Sequence, residues 1–183
     1  MKKILFLFVL IISSCDRYTL KSLYNAEIYI PNNLETFRNG ERINIDTNLD
    51  RLKLVLFYDS PHCSSCTINN IYYKEKLYQI YPEEIFYPYI IISPGNNYKE
   101  VIMQIQHQKH PFCVFIDKNG YFNKYNNKLS NLDSRYHSLL LDRNNRIVLV
   151  GDPTSSSTMW NLFKRTLDNM IANNGIYIPD KEN

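Results

Sequence analysis

The sequence predicts an α/β sandwich with a mixed central sheet. From Leu52 onward, apolar runs alternate with segments of helical periodicity, and a strand–turn–strand pattern followed by an amphipathic segment closes the chain. Alternating strands and helices favour parallel pairing, whereas a hairpin adds antiparallel strands. The predicted strands cover residues 53–58, 85–92, 112–116, 136–141 and 147–150, and the predicted helices cover residues 67–78, 98–105 and 159–170.

Turn and capping residues support these elements in chain order. Ser93-Pro94-Gly95 ends the second apolar run, and a turn signal at 117–120 ends the third. Between them, the helix at 98–105 carries apolar or aromatic residues at i, i+3, i+4 and i+7. The last helix follows three serines at 155–157, which supply an N-cap.

The segment before Leu52 suggests a short hairpin. Residues 26–30 alternate in polarity and end at Pro31, which is typical of an edge strand. Asn39-Gly40 is a strong turn signal, and residues 42–45 could form the second strand.

The first fifteen residues resemble a bacterial lipoprotein signal. Lys2 and Lys3 precede nine apolar residues, a run too short to span a bilayer, and Ile12-Ser13-Ser14-Cys15 resembles a lipobox. We predict a signal peptide over 1–14 and a lipid on Cys15, which places the protein on a membrane of the Gram-negative envelope, facing the periplasm or the cell exterior. The alternative is an ordinary signal peptide cut near Ser14, which leaves a free thiol.

The charge and length of the chain limit the expected partners and the domain organisation. Loss of Lys2 and Lys3 leaves 19 of the 21 basic residues against 18 acidic residues, a balance of about +1. No basic run stands out, so nucleic acid is not an expected partner. We predict a membrane tether over 15–25, one domain over 26–175 and a tail over 176–183.

Cys63-Ser64-Ser65-Cys66 is the chemical centre of the sequence. It follows an apolar strand and precedes a predicted helix, so Cys63 is expected at a helix N-terminus, where backbone N–H groups favour the thiolate. Cys66 follows one turn later and could attack a mixed disulfide formed at Cys63. The hypothesis is a thiol–disulfide exchange site, in which His62 could stabilise the thiolate and Ser64 and Ser65 offer hydroxyls or begin the helix.

This element order resembles the thioredoxin fold. Residues 110–117 resemble the extra strand of its redoxin branch (the TlpA-like and peroxidase-like members), 122–125 the short helix behind it, and 139–148 the closing hairpin. The resemblance covers about residues 50–170. It implies a three-layer sandwich with an inserted strand and helix. It also implies that Cys63 is the nucleophile and Cys66 the resolving thiol, with no cofactor beyond this redox-active pair. The implied partners are envelope proteins that carry thiols or disulfides.

Several positions depart from the thioredoxin pattern. Tyr136 stands about where that family has a cis-proline, and a cis bond before a non-proline residue costs about 3 kcal/mol, so this loop is expected to be trans. Phe57 replaces the buried acid that accepts a proton in many thioredoxins. His62 replaces a tryptophan, and Ser64-Ser65 replace a Gly-Pro pair.

Cys113 leaves three interpretations open. It could point into the core as a small hydrophobe, act as a resolving thiol, or join His110 and the dithiol in a zinc site. We favour the core and predict no metal. Thr67 occupies the place of the histidine in a haem-attachment motif, which argues against haem. Asp59 could act as a base, although ending a strand is its favoured role.

The functional prediction is a membrane-anchored thiol–disulfide oxidoreductase. Peroxide reduction is a weaker variant of the same class. The alternative from another class is a binding lipoprotein in which Cys63–Cys66 is a passive disulfide, consistent with the missing proline and acid. The many tyrosines after the dithiol could belong to the core or to a binding surface, and we favour the core.

Overall fold

Seven strands among the described residues form one mixed sheet in the order β2-β1-β5-β4-β3-β6-β7. The computed structural model describes residues 18–46, 50–59, 71–130 and 132–179. The strands are β1 (Glu35–Arg38), β2 (Glu41–Ile43), β3 (Leu52–Asp59), β4 (Phe86–Ser93), β5 (Val114–Ile116), β6 (Ser138–Leu141) and β7 (Ile147–Val150). Pairs β3–β4 and β4–β5 are parallel, and the other neighbours are antiparallel. The predicted α/β architecture with a mixed sheet is confirmed.

Helical segments cover both faces of the sheet. They are a 3₁₀ helix (Tyr72–Gln79), α1 (Tyr98–Gln108), α2 (Tyr121–Tyr125), α3 (Asn127–Ser130), a 3₁₀ turn (Ser134–Tyr136) and α4 (Ser157–Ala172). Ser156 caps α4 by accepting a hydrogen bond from the Met159 N–H at 3.1 Å, as the serine cluster predicts.

The central strands are buried on both faces, which explains their continuous apolar sequence. Along β3, Leu54 and Leu56 enter one core and Val55 and Phe57 the other, because successive side chains of a strand point to opposite faces. The first core packs against the 3₁₀ helix, α1 and α4. The second packs against α2, α3 and an N-terminal segment that contributes Leu23, Ile28 and Ile30. The result is a three-layer sandwich.

The strand predicted at 26–30 is reduced to one antiparallel bridge between Glu27 and Arg146, and β2 pairs with β1 instead, although the turn at Asn39-Gly40 is correct. The hairpin joins β1 to β2, with Asn39 and Gly40 at φ 53° and 79°, as a tight turn with two positive φ values requires. The 26–30 alternation reflects burial of two isoleucines. The Ile28 N–H donates to the Asn145 carbonyl at 2.8 Å, and the Ile147 N–H donates to the Ala26 carbonyl at 2.9 Å. At Tyr29 the Asn126 side chain takes over: it accepts from the Tyr29 N–H at 2.9 Å and donates to the Tyr29 carbonyl at 2.8 Å.

The ends of the described chain pack onto the domain. Residues 18–23, which fall in the predicted tether, are helical, and Leu23 is only 1% exposed. At the other end, Asn169 exchanges two hydrogen bonds with the backbone of Ile178. The helix predicted at 67–78 is helical from Ile71, with 3₁₀ geometry from Tyr72, and residues 67–70 lie outside the described ranges. Across the described ranges, no helix combines the length and apolar character needed to cross a bilayer.

Candidate active-site cleft

A cleft of about 520 Å³ opens at the carboxyl end of β3. In α/β sheets with parallel strands, ligands bind at this end of the strands because the connecting loops diverge there. The cleft is built from three chain segments: the end of β3, the loop that enters β6, and Asp152 in the segment after β7. The lining residues are Phe57, Tyr58, Asp59, Ser134, Arg135, Ser138 and Asp152.

Asp59 marks the edge of the cleft where the chain leaves the sheet. It is the last residue of β3 and is exposed, and its carboxylate accepts a hydrogen bond from the Asn123 side chain. The expectation that Asp59 ends a strand is therefore confirmed. Residues 60–70 lie outside the described ranges, so His62, Cys63, Ser64, Ser65 and Cys66 do too, as does Cys15.

The loop opposite β3 contains Tyr136. Asp133 organises this loop: its side chain accepts from the Arg135 N–H at 3.0 Å, and its carbonyl accepts from the Tyr136 N–H at 2.9 Å. Every peptide bond in the described ranges is trans, so the predicted trans loop is confirmed. Tyr136 is buried in the second core, and Ser134 and Arg135 face the cleft.

Phe57 lies where the thioredoxin pattern has a buried acid, and its ring makes aromatic contacts instead. Its ring lies 4.6 Å from the Phe122 ring and 5.4 Å from the His137 ring, measured between centroids. The second core is thus apolar beneath this end of β3, and no carboxylate is available at Phe57 to exchange a proton with the cleft.

Asp152 supplies a partly buried negative charge to the cleft from the segment after β7. The Lys74 ammonium lies 2.5 Å from Asp152 Oδ2 and 2.5 Å from Thr154 Oγ1. Burial alone raises the pKa of the Asp152 carboxyl, but hydrogen bonds from Lys74 and Thr154 outweigh that effect and hold the pKa below its ordinary value of 3.8. Burial, followed by the Asp152 charge, raises the pKa of Tyr58.

The sequence reasoning missed this Lys74–Asp152 pair. The only local signal is Asp152-Pro153-Thr154, where Asp152 Oδ1 accepts from the Thr154 N–H at 2.8 Å, a side-chain turn that Asp residues favour. Nothing in that turn indicates a lysine partner on the 3₁₀ helix.

Cys113 belongs to the second core, which confirms the interpretation favoured from the sequence. It is 0% exposed, and strand registers place it level with Val55, four residues before the end of β3 and two strands away. Burial is the main effect on its thiol and raises its pKa. His110 is also buried, and its ring stacks on Phe112. Among the described residues, no group of three potential ligands could hold a metal.

Most of the tyrosines after the dithiol divide between core and surface. Tyr87 and Tyr89 are fully buried in the second core, and the half-buried Tyr78 donates its hydroxyl hydrogen to the Pro88 carbonyl at 2.9 Å. Tyr72 and Tyr73, on the 3₁₀ helix, are exposed. The core assignment therefore holds for part of the group only.

Comparison with known proteins identifies the fold. No protein-family model and no curated protein matches the sequence. A candidate thiol:disulfide interchange protein DsbE from Chlorobium tepidum has a TM-score of 0.51 and 14% identity, over 79% of this chain and 99% of that chain. AhpC from Enterococcus faecalis has a TM-score of 0.52 and 17% identity, over 86% and 99%.

A candidate thioredoxin from Neisseria meningitidis has a TM-score of 0.50 and 16% identity, over 80% of this chain and 95% of that chain. The structure also contains the strand β5 and the short helix α2 between α1 and β6, where the redoxin resemblance predicts an inserted strand and helix. The chain therefore has a thioredoxin-like fold with a redoxin-type insertion.

Proposed function

We propose that this protein is a membrane-anchored thiol–disulfide oxidoreductase that exchanges disulfides with envelope proteins. The observation that carries the proposal is that the CxxC sequence follows β3 directly along the chain, and β3 ends at the edge of the cleft. Cys63 follows Asp59 by four residues, so its Cα can lie no farther than about 14 Å from that of Asp59 at the edge of the cleft. A dithiol held within this reach of an open cleft can meet a disulfide on another protein.

The exchange needs only the two cysteines. The Cys63 thiolate attacks one sulfur of a substrate disulfide, forms a mixed disulfide and releases the other substrate sulfur as a thiolate. The Cys66 thiolate then attacks the Cys63 sulfur and releases the second substrate thiol. The substrate gains two electrons, and the protein is left with a Cys63–Cys66 disulfide; the reverse sequence oxidises a substrate.

The residues next to the dithiol would influence the direction of this exchange. A protonated His62 would stabilise the thiolate of the adjacent Cys63, and a more stable thiolate makes the pair more oxidising. Phe57 stands where the thioredoxin resemblance implies a buried proton acceptor, so the proton of the resolving thiol needs another acceptor. The fold shared with the candidate DsbE protein of Chlorobium tepidum supports the same chemical class.

The anchor follows from the lipobox. Cleavage after Ser14 and lipidation of Cys15 leave residues 15–17 as the link to the described domain and place the cleft at a membrane of the envelope. The partners are then envelope proteins that carry thiols or disulfides. This location is oxidising, which suits a disulfide-exchange protein.

Two features favour a second candidate, a binding lipoprotein with a passive Cys63–Cys66 disulfide. Phe57 is buried among aromatic rings, and the Tyr136 loop is shaped by Asp133 rather than by a proline. The chain therefore lacks the buried acid and the proline-containing loop of the thioredoxin pattern.

The reduction potential of the dithiol decides between the two. We would equilibrate the protein with glutathione buffers, alkylate the free thiols, and in parallel search for mixed disulfides with Cys66→Ser, using Cys63→Ser as the control that cannot trap. A potential between roughly −120 and −270 mV, with substrates trapped by Cys66→Ser alone, supports the oxidoreductase. A pair that stays oxidised below about −300 mV and traps nothing leaves the binding lipoprotein.

A further inference from the structure

Exposed large apolar side chains concentrate in the N-terminal segment and in the helix α2 beside it. Tyr18, Leu20, Tyr24, Tyr29 and Tyr125 account for five of the eleven exposed large hydrophobic side chains among the described residues. We call this set the tyrosine face. Tyr18 is the most exposed of them, at 76%. Scattered exposed apolar residues are ordinary, but a cluster of them marks an interaction surface.

The tyrosine face is held together by packing. The Tyr29 and Tyr125 rings meet edge to face at 4.9 Å, and Asn126 fixes the Tyr29 backbone with two hydrogen bonds. Leu23 of the N-terminal helix and Lys128 of α3 border one crevice of about 230 Å³. The N-terminal helix and the α2–α3 segment therefore form one continuous surface.

That surface is also basic. Lys21 lies on the N-terminal helix, Lys124 on α2 and Lys128 on α3, and all three are exposed. Glu27 is an acidic residue beside them. Excess positive charge next to tyrosines is complementary to an anionic phospholipid surface, where each nearby lysine contributes about 1 kcal/mol.

The anchor lies close to this face. Tyr18 follows Cys15 by three positions, so the two Cα atoms can be no more than about 11 Å apart. Leu23 is buried, so the N-terminal helix packs on the domain and does not act as a long flexible tether. A lipid on Cys15 would bring the tyrosine face to the headgroup region.

We propose that the tyrosine face docks on the anionic phospholipid surface of the membrane that holds the lipid anchor. Tyrosine suits this environment because its ring enters the acyl boundary while its hydroxyl stays hydrated. The proposal rests on lipidation of Cys15, which belongs to the proposed function.

Tryptophan fluorescence measures the contact directly. In a Trp160→Phe background, which removes the only native tryptophan, Tyr18→Trp and Tyr125→Trp would each report on the tyrosine face. Tyr73→Trp is the matched control, since Tyr73 is 72% exposed on the 3₁₀ helix over the opposite core. The lipidated protein is reconstituted in phosphatidylethanolamine–phosphatidylglycerol vesicles with bromine-labelled acyl chains.

We expect a blue shift and bromine quenching at positions 18 and 125, and neither at position 73. An anchored protein that shows no quenching at 18 or 125 overturns the docking while leaving the anchor in place. Self-association of the chain that Tyr125→Ser abolishes would also overturn it, because the face would then be an interface between copies.

The unlipidated chain separates the two proposals. Mass spectrometry of Cys15 tests the anchor, and Cys15→Ser added to the same vesicles tests the face alone. Replacing Lys124 and Lys128 together with Gln is expected to weaken that binding by about fivefold for each lysine. Exchanging Lys99 and Lys164 for Gln, on helices of the opposite layer, is expected to leave it unchanged. Equal weakening by both pairs would overturn the docking site.

Discussion

Lys74 Nζ lies 2.5 Å from Asp152 Oδ2, and this pair joins the 3₁₀ helix to the segment after β7 at the wall of the cleft. The lysine side chain is only 10% exposed, whereas the Asp152 side chain is 33% exposed. A buried ammonium needs its carboxylate, because an unpaired charge away from water is costly. The pair is therefore expected to stabilise both the fold and the shape of the cleft.

Asp152→Asn should lower the free energy of unfolding by roughly 1–3 kcal/mol, because Lys74 keeps its charge but loses its counter-ion. Asp50→Asn is the matched control: it removes the same charge from a surface pair with Arg143 at 3.2 Å, and surface pairs contribute about 0–1 kcal/mol. Urea unfolding of both variants measures the difference. Equal effects would contradict a structural role for the Lys74–Asp152 pair.

The same pair predicts a pH dependence. The pKa of Asp152 is lowered in the folded state, so the folded protein binds fewer protons there than the unfolded chain. The stabilisation is complete above the ordinary pKa of 3.8 and is lost as the pH falls through the lower folded-state value. Wild type should lose more stability on acidification than Asp152→Asn, and parallel acid-unfolding curves would contradict this.

Tyr136→Pro tests how the loop opposite β3 differs from a proline-containing one. The substitution removes the N–H that donates to Asp133 and a ring buried in the second core. We expect a loss of about 3–5 kcal/mol, measured by denaturant unfolding. Tyr136→Phe keeps the ring and the N–H and should cost about 1 kcal/mol or less. A proline variant as stable as wild type would show that the loop accepts the thioredoxin conformation.

The sequence predicted the sheet well because its central strands are buried on both faces. Such strands are continuous apolar runs, and turn residues such as Ser93-Pro94-Gly95 mark where they end. The strand predicted at 26–30 failed for a non-local reason. The segment meets the start of β7 through one bridge, Glu27 with Arg146, and at Tyr29 the side chain of Asn126, 97 positions away, takes the hydrogen bonds that would have continued the pairing.

The cleft was predictable only in part. Asp59 and the Tyr136 loop follow from strand order, so a sequence pattern places them at one edge of the sheet. Lys74 and Asp152 are 78 positions apart, and neither stands in a pattern that names the other. Long-range ion pairs of this kind depend on how the layers pack, which periodicity does not encode.

Cys113 should be inert to alkylation in the folded protein. Its side chain is 0% exposed, and burial raises the pKa of its thiol, so the reactive thiolate is scarce and shielded. Mass spectrometry after iodoacetamide treatment should find the Cys113 peptide modified only when denaturant is present. Cys113→Ala is the control that removes this signal. Rapid native labelling of Cys113 would instead support a resolving thiol.

His110 should make the protein less stable in mild acid. Its ring is buried against Phe112, at 5.2 Å between centroids, and neither ring nitrogen has a hydrogen-bond partner among the described residues. Burial lowers the pKa of His110 below 6.5. The unfolded chain then binds a proton that the folded protein resists, so stability falls as the pH drops below 6.5 and continues to fall until the folded-state pKa is reached.

His110→Leu removes this penalty. We expect the variant to gain stability relative to wild type, by more at about pH 5 than at about pH 7, since only wild type carries the histidine that must stay neutral. His107→Leu is the matched control, because His107 is exposed in the last turn of α1. Groups common to the chains cancel in the comparison, so the difference in unfolding free energy against pH isolates His110. A difference that does not change with pH would mean that the His110 ring reaches solvent or a partner in the folded protein.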